Sequence, residues 1–149
     1  MSIISPVKFE RLFREAAGLD VDKDDVKRLS DFVQGRLHDL LVRGVAAAKA
    51  NGRDVIEPHD LPVTKGLQES IHAFRALDVS LELQPILERL ATLPPLELDY
   101  SEELEARLPE LVGGITVALA KAFKILDPEL RNPQTEHWER VEALFRLLL

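Results

Sequence analysis

The sequence predicts an all-α protein of two tandem units on one chain. Each unit runs short helix, long helix, short helix, and the two long helices cross in an intramolecular handshake. Three observations predict this. Apolar residues recur at helical spacing nearly from end to end. Two of the helical runs are much longer than their neighbours. The short–long–short order appears a second time when the chain is shifted by 78 residues against itself. The chain has 149 residues, 46% of them hydrophobic and 30% charged. That is enough for one compact domain, or for two small repeats sharing a core, and too apolar for a disordered tail.

The elements can be taken in order. Phe9, Leu12 and Phe13 share one face of a first short helix, which Ser5 caps, Pro6 opens and Gly18 stops. A long run follows in which Val26, Leu29, Val33, Leu37, Leu40, Leu41 and Val45 keep one stripe. Asp22, Asp24 and Asp25 stand at its start, where a helix end favours carboxylates, and Asn51-Gly52 ends it. Roughly 27 residues make a helix on the order of 40 Å long. Arg53 to Glu57 is too short for more than one β-bridge. Pro58 can open a helix, but Pro62 either keeps it very short or falls in its first turns. Lys65 to Leu77, with Leu67, Ile71 and Phe74 on one face, reads as a helical continuation or connector.

The second half repeats the plan: a short helix from about Leu83 to Thr92, a loop holding Pro94 to Asp99, and a long run from Ser101 to Leu126. A loop from Asp127 to Pro133 then leads to a last helix from Thr135 to Leu148. Pro109 should kink the long run or end its first segment. Gly113-Gly114 suits a close helix crossing. Under the shift, Phe9 to Leu12 fall on Leu87 to Leu90, Arg53 on Arg131 and His59 on His137. The expected division is therefore 1–77, a first unit with its connector helix, and 78–149, a second and degenerate unit. One such unit leaves the stripe of its long helix exposed, whereas two that cross bury both stripes.

The loop after the first long run carries a more specific signal. Gly52-Arg53-Asp54-Val55-Ile56-Glu57-Pro58-His59-Asp60-Leu61 resembles the Gly-Arg-x-Thr-Ile-x-x-x-Asp-Ile/Val signature of archaeal and eukaryotic histones. Over about residues 5–148 the chain resembles a bacterial family of tandem histone folds fused into one pseudodimer. The resemblance implies that Arg53 pairs with Asp60 and pins the loop to the third helix. In the second unit Arg131 survives, but Trp138 stands where the aspartate would be.

Histone folds hold phosphate with the first loop of one unit beside the second loop of its partner, and with the first helices. Here those loops are acidic. Asp20, Asp22, Asp24 and Asp25 outweigh Lys23 in the first loop. Asp127 and Glu129 outweigh Arg131 in its partner loop, for a net −4 at that end. At the other end Glu97, Asp99, Glu102 and Glu103 join Asp54 and Glu57 against Arg53, a net −5. Val55 replaces the phosphate-contacting threonine. The whole-chain charge of −7 belongs to one half: residues 1–77 carry 12 basic and 12 acidic groups, residues 78–149 carry 7 and 14. Phosphate affinity rests on Lys and Arg, so DNA wrapping is expected to be weak or absent. The candidate phosphate- or partner-binding residues are Lys8, Arg11 and Arg14 on one helix face, with Arg53, Arg89 and Arg131.

Other constellations point less far. His38-Asp39 and His59-Asp60 resemble the metal ligands of helical His-Asp phosphohydrolases, but that chemistry needs several such residues converging. His59 and His137 read better as cap or packing residues. No metal site, cofactor or catalytic residue is expected, and no small-molecule substrate. Trp138 and Phe145 lie on one face of the last helix with Val141. They read as core or, with Leu149, as a patch for a protein partner or self-association. The absence of cysteine, of a long apolar run and of a leader-like start suits a cytoplasmic protein. The expected function is a non-enzymatic structural or interaction module. The rivals are a nucleoid-associated DNA binder and, further off, a metal-dependent hydrolase.

Overall fold

Helix caps set the boundaries in the computed structural model, which describes residues 2–148. Helix α1 (Pro6–Ala17) starts where the Ser5 hydroxyl accepts the Lys8 N–H, and ends at Gly18, whose φ of +64° a side chain would disfavour. Helix α2 (Lys23–Ala50) starts on a reciprocal cap. The Asp22 side chain accepts from the N–H groups of Asp24 and Asp25, and the Asp25 carboxylate accepts from the Asp22 N–H at 2.9 Å. Strand β1 (Val55–Ile56), a 3-10 turn (Pro58–Asp60) and helix α3 (Lys65–Ala76) complete the first half. Helix α4 (Leu83–Leu90), strand β2 (Asp99–Tyr100), helix α5 (Glu102–Leu126) and helix α6 (Thr135–Leu148) make the second.

Three expectations need revision. The segment read as a connector is α3, which packs on α5 more extensively than any other helix does. Pro58 opens only a 3-10 turn, because Pro62 has no N–H and holds Leu61 extended; the helix restarts where the Thr64 hydroxyl accepts the Leu67 N–H. Second, the loop before α5 supplies β2. It pairs in parallel with β1 over two residues, Val55 opposite Asp99 and Ile56 opposite Tyr100. Third, α5 runs unbroken through Pro109, within its first two to three turns.

The two long helices are not equivalent. In α2 the buried residues form a stripe, Val26, Leu29, Val33, Leu37, Leu41 and Val45, while Asp31, Asp39 and Arg43 face outward. In α5 every residue from Leu111 to Val117 is buried. Seven consecutive residues go almost twice around a helix, so this stretch has no solvent face. All five other helices touch α5. From the first half, α1, α2 and α3 all lie against it; from the second, α6 is tied to α2 by the edge contact of Phe145 on Phe32 at 5.3 Å. Phe9 and Phe13 of α1 meet Phe123 of α5 and Trp138 of α6 in one aromatic cluster, with neighbouring ring centroids 4.6–6.3 Å apart.

The closest approach is at Gly113-Gly114. A Cβ on Gly113 would lie 2.4 Å from the Phe74 ring, and one on Gly114 would lie 2.5 Å from Ile71 Cγ1 and 3.2 Å from the Ile71 backbone. Glycine here lets α3 lie on α5 at backbone distance. Gly114→Ala should therefore destabilise the protein by about 1–3 kcal/mol through overpacking. Gly35→Ala, inside α2 with nothing within 4 Å of its Cβ position, should stabilise by about 0.5–1 kcal/mol. Urea denaturation of the two variants beside the parent tests both magnitude and opposite sign.

Candidate functional site

Two loop ends close the molecule, and they hold most of the residues singled out from the sequence. At the first end Gly52 (φ +71°) turns the chain out of α2 and delivers Arg53 toward the 3-10 turn. Its Nη1 and Nη2 donate to the two Asp60 carboxylate oxygens at 2.6 and 2.5 Å, and the Glu57 N–H donates to Asp60 at 2.8 Å. The Asp60 side chain is 2% exposed. Its pKa is lowered to about 2, chiefly by the hydrogen bonds from Arg53, with burial pulling the other way. This bidentate pair leaves Asp60 ionised and fully occupied. It also commits Arg53 inward, so this arginine belongs to the loop frame and not to a phosphate-facing surface. Beyond it, β1 on β2 and the Ser101 N–H on the Ile56 carbonyl at 2.9 Å join the two halves. Lys49 pairs with Glu97, while Asp54, Asp99, Glu102 and Glu103 are exposed.

The second end has a different lock. The Asp20 N–H donates to the Arg131 carbonyl at 2.6 Å, a single backbone bond between the first loop and the last. Lys124 Nζ donates to the Leu130 carbonyl at 2.5 Å. Beneath them Trp138 Nε1 donates to Asp25 Oδ1 at 2.8 Å, both groups buried. Burial raises the Asp25 pKa, opposed by the hydrogen bonds from the Asp22 backbone and from Trp138. One carboxylate thus caps α2 and anchors α6.

This takes Trp138 out of the exposed apolar patch weighed from the sequence, while Leu147 and Leu148 stay exposed. Trp138 is 1% exposed, because its indole fills the aromatic cluster and its N–H reaches a buried acceptor. Phe145 is half-buried against Phe32. Leu149 lies outside the described residues. The basic residues do not converge either. Arg11 and Arg14 are exposed on α1 and Lys8 is partly so, with Arg11 3.3 Å from Glu15 and Arg14 4.0 Å from Asp20. Arg89 turns onto α2 instead, its Nε donating to Gln34 at 2.6 Å and its Nη2 lying 3.3 Å from Asp31. Arg131 is exposed at the second end. The histidines are dispersed. His38 Nε2 meets the Pro94 carbonyl at 3.1 Å, Asp39 pairs with Arg36, and His59 is exposed beside Asp60. His137 Nδ1 accepts the Gln134 N–H at 2.9 Å at the start of α6. Among the described residues no three His, Asp or Glu side chains group as metal ligands, and no helix is long and apolar enough to cross a membrane.

A family model described as a domain of unknown function, DUF1931, matches residues 9–146. The chain belongs to this family. An uncharacterized protein of Aquifex aeolicus strain VF5 is 29% identical over 146 residues, which cover 96% of this chain and 85% of that one. A second from the same strain is 33% identical over 129 residues, 77% of this chain and 74% of its own. Among solved structures, one from Thermus thermophilus superposes with a TM-score of 0.96 at 55% identity over 99% of both chains. One from Aquifex aeolicus superposes with 0.83 at 27% identity, covering 98% of this chain and 96% of that one.

The two locks make separable predictions. Asp60→Asn should cost about 2 kcal/mol at pH 7, the scale of charge-assisted hydrogen bonds. The folded pKa of Asp60 is about 2, against an ordinary value near 3.9. The pair's contribution is therefore complete above about pH 4 and lost as pH falls toward 2. The stability gap between parent and variant should close over that window, as measured by urea midpoints from pH 7 to 2. Trp138→Phe keeps the ring packing but leaves the buried Asp25 without its indole donor. It should cost about 1–3 kcal/mol, read the same way at pH 7.

Proposed function

We propose that this DUF1931 chain is a tandem histone-fold pseudodimer, with units 1–77 and 78–149, that serves as a non-enzymatic interaction scaffold in the cytoplasm and does not wrap DNA. Three features support the fold reading. Helix lengths run short–long–short twice, the helices of the first half pack on the long helix of the second, and each molecular end pairs a first-type loop with a second-type loop. The Arg53–Asp60 pair lies where the histone loop signature has its own.

The observation that carries the functional reading is the occupancy of the loop ends. A phosphate approaching the β1–β2 end meets Asp54, Asp99, Glu102 and Glu103 exposed, with Arg53 held by Asp60 and Lys49 by Glu97. At the second end Asp20, Asp22 and Asp24 are exposed around Lys23. Arg89 is withdrawn onto Gln34, which leaves Lys8, Arg11 and Arg14 without a basic counterpart on α4. Fixed negative charge at both sites opposes the polyanion. The fluorescence anisotropy of a labelled 30-base-pair duplex should show no sub-micromolar binding at 150 mM salt, and any weaker binding at 50 mM should fall steeply as salt rises. Sub-micromolar affinity at 150 mM would establish the nucleoid-associated reading instead.

A further inference from the structure

Between α2, α4 and the segment leading into β2 lies a cleft of about 530 Å³, within the size range of small-ligand sites. Leu41, Leu87, Leu90, Leu96 and Leu98 line it, together with Pro94 and Pro95. Its polar lining is limited to His38, Asp99, Tyr100 and Glu105, and no lysine or arginine contributes. His38 is already held to the Pro94 carbonyl at 3.1 Å. Among the described residues the carboxylates of half-buried Glu105 and exposed Asp99 enter no ion pair and the half-buried Tyr100 hydroxyl no hydrogen bond, whereas half-buried Glu110 is matched by Arg75. Burial and then the charges of Glu105 and Asp99 push the Tyr100 phenol up, so its hydroxyl lies in the field of both carboxylates. The cleft thus joins a leucine-lined wall to polar groups whose only fixed charge is negative.

We propose that this cleft binds a small amphiphilic amine, with its alkyl chain along the leucines and its ammonium group at Glu105, Asp99 and the Tyr100 hydroxyl. The leucines disfavour an inorganic cation or a polyamine, neither of which has an apolar tail to place there. The carboxylates disfavour a fatty acid, whose head would meet like charge with no basic residue to receive it. A primary ammonium carries three donors, matching two carboxylates and a phenolic oxygen. The proposal does not depend on the histone-fold reading.

The test uses the intact chain and three probes of equal tail length, n-hexylamine, n-hexanol and n-hexanoate, followed by two-dimensional amide NMR at pH 7. Hexylamine should give saturable shifts confined to residues 87–100, the start of α5 and the α2 amides around His38 and Leu41, hexanol a weaker response at the same amides, and hexanoate none. Glu105→Gln, on the half-exposed first turn of α5, should weaken hexylamine roughly tenfold, the scale of one charge-assisted hydrogen bond, and leave hexanol unchanged. Hexanoate binding as tightly as hexylamine would overturn the proposal, as would shifts that never saturate or a Glu105→Gln variant with unchanged affinity. The comparison of probes on the parent protein decides the matter even where a variant fails to fold.

Discussion

Everything else in this structure depends on the burial of α5 on every side between Leu111 and Val117. Its own half cannot supply that cover. Helix α4 is only eight residues long, and α6 is drawn to α2 by the Trp138–Asp25 bond. Most of the cover comes from α1, α2 and α3, with α3 seated on Gly113 and Gly114 at a distance no side chain would permit. Helix α2, by contrast, needs cover along one stripe and keeps a charged outer face. The first half is therefore a sleeve and the second half contributes its filling, an asymmetry that two identical crossing units would not have. Burial is non-directional and favours any such cover; the diglycine gives this one its register.

The ends then follow from the sleeve. Once α5 is inserted, its N-terminus lies beside the loop that leaves α2, and β1 pairs with β2; its C-terminal loop lies beside the loop that enters α2, and Asp20 meets Arg131. Two chemically different locks stand at these ends. One is the arginine–aspartate fork that ties the loop after α2 to the 3-10 turn, with the Asp60 side chain buried. The other is a buried indole–carboxylate bond between Trp138 and Asp25. Asp22 and Asp25 cap α2, so part of the acidic charge at that end is required by the fold itself. Asp20 and Asp24 have no comparable duty: Asp24 offers its N–H to the cap, Asp20 its N–H to Arg131, and both carboxylates remain in solvent.

Helix positions were legible in the sequence because capping and periodicity are local. Ser5-Pro6, Gly18, Asp22 and Asn51-Gly52 each act within one turn, and all mark true boundaries. Gly113-Gly114 announced a close crossing, although not that Phe74 and Ile71 would fill it. Residues 65–77 read from the sequence as a helical continuation or connector because nothing local shows that this helix packs on α5. Strand β2 escaped notice because a two-residue pair has no period of its own. The pairing of Arg53 with Asp60 was implied by the loop's resemblance to the histone signature, and the structure holds that pair. Trp138 and Asp25 are 113 residues apart, and no local pattern links them. The direction Arg89 takes depends on Gln34, a polar residue on the buried stripe of α2 whose need for a donor could be inferred only after that stripe was known to be covered.

The central claim is that neither half has a core without the other. Native-state hydrogen exchange, resolved by residue across a series of low urea concentrations, tests it directly. Amides of Leu29–Val45 in α2 and of Leu111–Phe123 in α5 should merge onto one isotherm with the same free energy and the same denaturant dependence, because both are exposed only when α5 leaves its sleeve. The contrary result is a separate, lower-energy opening of α4 to α6 while α1 to α3 keep their protection. That outcome would mean that the first half holds a core of its own and that α5 is an addition to it.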